Sequence, residues 1–211
     1  GGPRNNNLLV KNSISRDNNY GWSYDPAPND FTAKGAKKTY LWNGKWYVRV
    51  GHDAGGGKFS GTGSATIENH TAYENHGPGM WFDYNNKNVI VRNSVFHHNV
   101  PAEEGWGGVG LFIEFNSEGP FDILNNRFYG NDASGLTIAE SRNVDVTNGN
   151  RFEGNGIKFR NLAARSGSSV QNILIEGNIF SGGAGISTGA GNIPTNWQSA
   201  WNVVIRNNQG F

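Results

Sequence analysis

The 211-residue sequence predicts an all-β chain wound as a right-handed parallel β-helix, a solenoid of about six or seven turns with an inserted β-hairpin. Three observations predict it. A short apolar strand ending in Asn or Gly recurs every 23 to 32 residues along most of the chain. A second, Gly-initiated strand with alternating apolar residues falls between these repeats. No segment carries a sustained helical period, and Gly and Asn interrupt every candidate helix.

The first repeat reads LLVKNSIS (8–15), ATIENHTAY (65–73), VIVRNSVF (89–96), FDILNNRF (121–128), VDVTNGNRF (144–152), ILIEGNIF (173–180) and VVIRNNQGF (203–211). Its Asn/Gly column is Asn12, Asn69, Asn93, Asn125, Asn148, Gly177 and Asn207, with spacings of 57, 24, 32, 23, 29 and 30. Short strands at this period, with no helix between them, cannot pair by hairpins alone. They stack as turns of a coil, each strand bonded to its equivalent one turn away. The column then becomes a ladder of side-chain amides inside a tight turn.

The second repeat reads GWSYD (21–25), GMWFD (79–83), GLFIE (110–114), GLTIA (135–139), GIKFR (156–160) and GISTG (185–189). Trp22, Tyr24, Met80, Phe82, Leu111, Ile113, Leu136, Ile138, Ile157 and Phe159 share the inward parity. Two outward columns remain. The first is Ser23, Trp81, Phe112, Thr137, Lys158, Ser187. The second is Asp25, Asp83, Glu114, Ala139, Arg160, Gly189.

The spacing of 57 marks an insertion at about residues 26–62 within a single 1–211 domain. Inside it, TYLWNGKWYVRV (39–50) places Asn43-Gly44 between two apolar runs, a strong hairpin signal. The insertion leaves directly after Asp25, so it is expected to rise beside the strand face that holds Asp25 and Asp83. A smaller loop, NVPAEEGWGG (99–108), carries Trp106, and GAGNIPTNWQSA (189–200) carries Trp197.

Composition narrows the function. A net charge of +1, with no basic cluster interleaved with aromatics, argues against a nucleic-acid or acidic-membrane partner. The absence of Cys excludes disulfides, thiolate metal sites and a Cys nucleophile. No apolar run approaches the roughly 18 residues of a membrane helix. His52, His70, His76, His97 and His98 match no metal signature and are expected to be hydrogen-bonded structure. The opening GGPRNNNLLV reads as the interior of a longer chain, an excised domain.

Stacking at about 4.8 Å per turn sets Trp81 over Phe112 as an expected exposed aromatic platform. Asp25, Asp83 and Glu114 form an acidic row beside it, and Lys158 and Arg160 close the far end. Such a strip suits a polysaccharide, whose rings offer apolar C–H faces to aromatics and hydroxyls to fixed acceptors. Like carboxylates on adjacent strands repel, which argues that their stacking serves a function. The competing expectation is that the insertion covers the outward rings as a satellite cluster. Trp106 and the 39–50 hairpin would wall the groove. Trp46, within that hairpin, stays open between loop core and an extension of the platform.

The GI-x-I-type strands, with N-N-x-F turns such as Asn125-Asn126-Arg127-Phe128, resemble the repeats of pectate-lyase-like β-helix proteins, over most of the chain outside 26–62. In compactness, near-neutral charge and aromatic strip the chain is also similar to the β-helix module of carbohydrate-binding module family 89. That resemblance implies a secreted, non-catalytic module that binds a plant cell-wall polysaccharide, xylan first, and is appended to a glycoside hydrolase. It implies no cofactor, with Ca²⁺ as the one ion the acidic row would take.

The wider group implies the alternative, a polysaccharide lyase or glycoside hydrolase. There Asp25, Asp83 and Glu114 would hold Ca²⁺ and Lys158 or Arg160 would act as base, or Asp83 would pair with Glu114 for hydrolysis. The Arg-x-Pro-x-x-Arg run of pectate lyases is absent, which counts against the lyase. A purely structural solenoid, the third class, explains the Asn ladder but not the aromatic–acid strip.

Overall fold

The computed structural model describes residues 7–18, 23–24, 39–42, 45–48, 55–102, 107–161 and 169–210, and between 23 and 48 it describes backbone only. Strands stack in parallel along a coil. Leu8–Arg16 and Ala65–Tyr73 each bend at an Asn and serve two faces of it. Val89–Arg92, Phe121–Leu124, Arg142–Thr147, Gln171–Glu176 and Val203–Arg206 continue one face. Val95–His97, Arg127–Tyr129, Arg151–Glu153 and Ile179–Ser181 continue the other. The 11 strands form one sheet that turns a corner. The remaining face is a six-stranded parallel sheet of Lys58–Ser60, Met80–Asp83, Val109–Glu114, Ser134–Ala139, Ile157–Asn161 and Ile186–Gly191.

The inward parity read from the alternation holds wherever side chains are described. Met80, Phe82, Leu111, Ile113, Leu136, Ile138, Ile157 and Phe159 are all at most 2% exposed. Identical positions on successive turns meet one another, so like residues stack. Phe96, Phe128, Phe152 and Phe180 form a continuous column with ring centroids 5.3, 4.8 and 5.0 Å apart. The short helix Trp197–Ala200 seats Trp197 against Phe159 at one end of the core.

The Asn column occupies the corner of the large sheet. Asn12, Asn69, Asn93, Asn125, Asn148, Gly177 and Asn207 all have φ between 50° and 68°. Asn and Gly are the residues that adopt this left-handed conformation at least cost. Two pairs bond as expected, Asn69 Nδ2 to Asn12 Oδ1 at 3.1 Å and Asn125 Nδ2 to Asn93 Oδ1 at 2.8 Å, but both are exposed. A buried ladder lies one or two residues further on, through Asn126, Asn150 and Asn178, and ends at the half-buried Asn208. There the side chain turns back inside the coil, as it also does in a second buried ladder through Asn75, Asn99 and Asn131. Asn150 Nδ2 also donates to the carbonyls of Ile123 and Thr147, both at 2.8 Å, and so satisfies backbone acceptors that the corner leaves open.

One rung departs from expectation. Ser23–Tyr24 does not lie on the six-stranded sheet. It pairs antiparallel with Lys45–Val48, which in turn pairs with Thr39–Trp42, so the hairpin flanking Asn43-Gly44 is present. The turn next to Met80–Asp83 is filled instead by Lys58–Ser60, within the span expected to be insertion. Glycines permit this close seating. A Cβ on Gly56 would stand 2.1 Å from the Gly79 carbonyl oxygen. Phe59 then enters the core and stacks on Phe82 at 5.1 Å.

Candidate functional site

In the observed register the first outward column of the six-stranded sheet is Lys58, Trp81, Phe112, Thr137, Lys158 and Ser187. The second is Ser60, Asp83, Glu114, Ala139 and Arg160. Asp25 and Trp106 lie outside the described residues, and Ser60 holds the place beside Asp83 that Asp25 was expected to fill. Among the described residues the acidic row is a pair, Asp83 and Glu114, on adjacent turns. Trp46 sits on the strand Lys45–Val48, in register with Tyr24 and Leu41.

The aromatic platform is not exposed. Trp81 is 4% and Phe112 1% accessible, and with Val109 and Ala139 they make a second hydrophobic cluster outside the coil. The physical reason is the stacking itself. The two rings lie nearly parallel, 5.4 Å apart and inclined by 27°, so each consumes one face of the other. Lys58 Nζ lies 3.7 Å from the centre of the Trp81 ring, and the Arg160 guanidinium 5.5 Å from that of Phe112. Cations over aromatic faces are attracted by the ring quadrupole. No open ring face is left for a sugar, and the expectation of a satellite cluster fits better than that of a platform.

The carboxylates have different surroundings. Asp83 Oδ2 is 2.9 Å from Lys58 Nζ. Glu114 is more deeply placed, and burial pushes its carboxyl up to about 7. The Asp83 charge and that of Glu140 add to this, while Arg160 and Lys58 oppose it. Near neutrality Glu114 therefore carries a proton part of the time and can donate as well as accept.

The backbone under this pair is held unusually. Tyr84, Phe115 and Glu140 follow the strand ends on three successive turns with φ of 57°, 53° and 44°. Bulky side chains rarely adopt this region, at roughly 1–3 kcal/mol each, and such strain concentrates at functional sites. A buried ladder of Asn86, Asn116 and Ser141 braces the turn. Asn86 Nδ2 donates to the Asp83 carbonyl at 3.0 Å and Asn116 Nδ2 to the Glu114 carbonyl at 2.7 Å. The signal was in the sequence, since D-Y-N-N and E-F-N each place an Asn shortly after the acid. It was hidden among about sixty other Asn and Gly positions. Lys58 was missed because its strand was read as insertion.

A Ca²⁺ site fits poorly. Among the described residues the row offers two carboxylates, one tied to Lys58 and the other partly protonated. Among the described residues no group of three or more His, Asp or Glu is gathered for a metal. The histidines serve structure where they are described. His70 is bonded between Ser13 and Ser15 at 2.9 and 3.0 Å. His97 lies between Tyr73 and Tyr129 in a near-parallel stack, at 4.9 and 4.7 Å.

The family profile described as right handed beta helix region matches residues 2–155, or 154 of the 211 residues. The chain belongs to the right-handed β-helix family. This agrees with the parallel register throughout the coil and with the fold of the pectate-lyase-like group. Comparison with curated proteins and with solved structures returned no match.

Proposed function

We propose that the outward face of the six-stranded sheet binds a polysaccharide, with xylan from the plant cell wall as the first candidate. The protein would then act as a secreted module appended to a glycoside hydrolase. The observation that carries this reading is the in-register pair Asp83 and Glu114 on adjacent turns of a flat parallel sheet. A periodic polar surface of this kind matches the repeating hydroxyls of a linear polymer. Trp81 and Phe112 act as braces under that surface rather than as stacking partners. Lys58 pairs with Asp83, and the charges of Lys58 and Arg160 balance those of the carboxylates.

The Glu114 environment favours a second reading, glycosidic bond cleavage. Glu114, whose burial raises its hold on a proton, beside a carboxylate paired with Lys58 suits an acid next to a nucleophile or base. One turn of a parallel sheet separates their backbones by about 4.8 Å. This approaches the roughly 5–5.5 Å between the carboxyls of retaining enzymes. Glu114 would protonate the leaving oxygen, and Asp83 would attack.

A paired assay separates the readings. Affinity electrophoresis on xylan, polygalacturonate and alginate measures retention. Reducing-end release and absorbance of unsaturated products measure cleavage, with Ca²⁺ and with chelator. Retention on xylan without products supports the module, and its loss in Asp83→Asn places the site on this face. Products that vanish in Glu114→Gln favour the hydrolase. A parent protein retained by none of the three polymers refutes the polysaccharide reading.

A further inference from the structure

Beyond Phe112 the same face changes character. Ser134 and Thr137 are buried and share a hydrogen bond of 2.7 Å. Next to them is a cavity of about 270 Å³, lined by Ser134, Gly156, Lys158, Gly183, Gly185 and Ser187 among others. This lies just below the roughly 300–1,000 Å³ of pockets that engulf a whole small ligand. It is the right scale for a single substituent. An added Cβ on Gly183 or Gly185 would meet nothing within 4 Å, so these glycines keep the space open rather than close a contact.

Lys158 is the charged group of this cavity. Unlike Lys58, which pairs with Asp83, neither Lys158 nor Arg160 forms an ion pair among the described residues. Register places Lys158 two turns from Phe112, and Arg160 two turns from Glu114. By the strand spacing this is about 9–10 Å along the coil axis. The face is thus electrically polar along its length. At one end the carboxylates stand with Lys58 and with the Arg160 guanidinium, which reaches back over Phe112, and at the other Lys158 stands with hydroxyls and an open cavity.

We propose that the Lys158 cavity is a subsite for a carboxylate carried by the polysaccharide, a uronic acid unit on or within the chain. Its backbone would lie along the Asp83–Glu114 turns. The assignment rests on the polysaccharide reading and deepens it. It names a carboxylated polymer in preference to a neutral one, and it fixes the direction in which the chain lies. An anionic group is attracted at Lys158, which has no carboxylate partner among the described residues, while Ser134 and Ser187 offer hydroxyl donors.

The test compares glucuronoxylan with the same polymer after its uronic carboxyls have been reduced to alcohols. Binding is measured by affinity electrophoresis and calorimetry on the parent, Lys158→Gln and Lys158→Arg. A partly solvated ion pair is worth up to about 1 kcal/mol, so the parent should prefer the carboxylated polymer about fivefold. Lys158→Gln should lose that preference while keeping its affinity for the reduced polymer, and Lys158→Arg should retain it. The preference should also shrink as salt is raised. Equal binding of both polymers by the parent overturns the subsite and leaves the polysaccharide reading standing. A preference that survives in Lys158→Gln overturns the role of Lys158. Binding of neither polymer defeats the polysaccharide reading, and the subsite with it.

Discussion

Replacing Glu114 with Gln removes one titrating proton while keeping the shape of the side chain. The carboxyl is pushed from its ordinary 4.5 up to about 7 in the folded protein, chiefly by burial and next by the Asp83 charge. A raised carboxyl means that the folded state holds its proton more tightly than the unfolded chain does. Its contribution is fully present below pH 4.5 and is lost as the pH rises through 7. At about 1.4 kcal/mol per pH unit of displacement, the parent should lose about 3 kcal/mol across that window. Glu114→Gln should lack this loss, matching the parent near pH 4 and exceeding it by up to about 3 kcal/mol at pH 8. His70 and His97 are pulled down by burial and act in the opposite sense below pH 6.5. Both are common to the two proteins and drop out of the difference. Urea unfolding followed by Trp fluorescence, at half-unit steps from pH 4 to 8, measures this directly. A difference curve that stays flat would show that Glu114 titrates normally, and the acid–base reading would fall with it.

Two further predictions concern packing. Trp81→Ala should cost about 3–5 kcal/mol of stability, because it empties a buried site and uncovers Phe112. Denaturant unfolding checks this, and a loss below about 1 kcal/mol would mean that the ring is exposed in solution. Asn150→Ala should cost at least about 2 kcal/mol, since it strands buried partners at Ile123, Thr147, Asn126 and Asn178. Asn125→Gly, on the exposed side of the same corner with φ 51°, should change stability by less than about 0.5 kcal/mol. Equal costs at the two positions would refute the distinction between the exposed column and the buried ladder.

The same corner shows how far pattern alone reaches. The recurrence of Asn or Gly at Asn12 through Asn207 reports a backbone requirement, the left-handed turn, and it was readable because only those residues meet it cheaply. The amides that carry the buried ladder sit beside that column, at Asn126, Asn150 and Asn178. Nothing in the spelling of N-N-R-F or N-G-N-R-F says which Asn faces inward. The hairpin flanking Asn43-Gly44 was legible from its turn residues. The turn formed by Lys58–Ser60 was not, because K-F-S is too short to show a period and lies in a span whose length signalled an insertion.

The coil, its register and the inward face were legible in the order of the residues. Those follow from a repeat at nearly constant period and from side chains that alternate along each strand. That order also determined that Asp83 and Glu114 would be neighbours. What the outward face became was settled by packing between turns. Parity tells one side of a strand from the other, but it does not say what lies over the outer side. The two rings stacked on each other and took cations on their free faces. Ser60 took the place beside Asp83, and the opening appeared two turns away from Phe112 at Lys158. Each of these outcomes depends on contacts between residues distant in the chain, which no local pattern encodes.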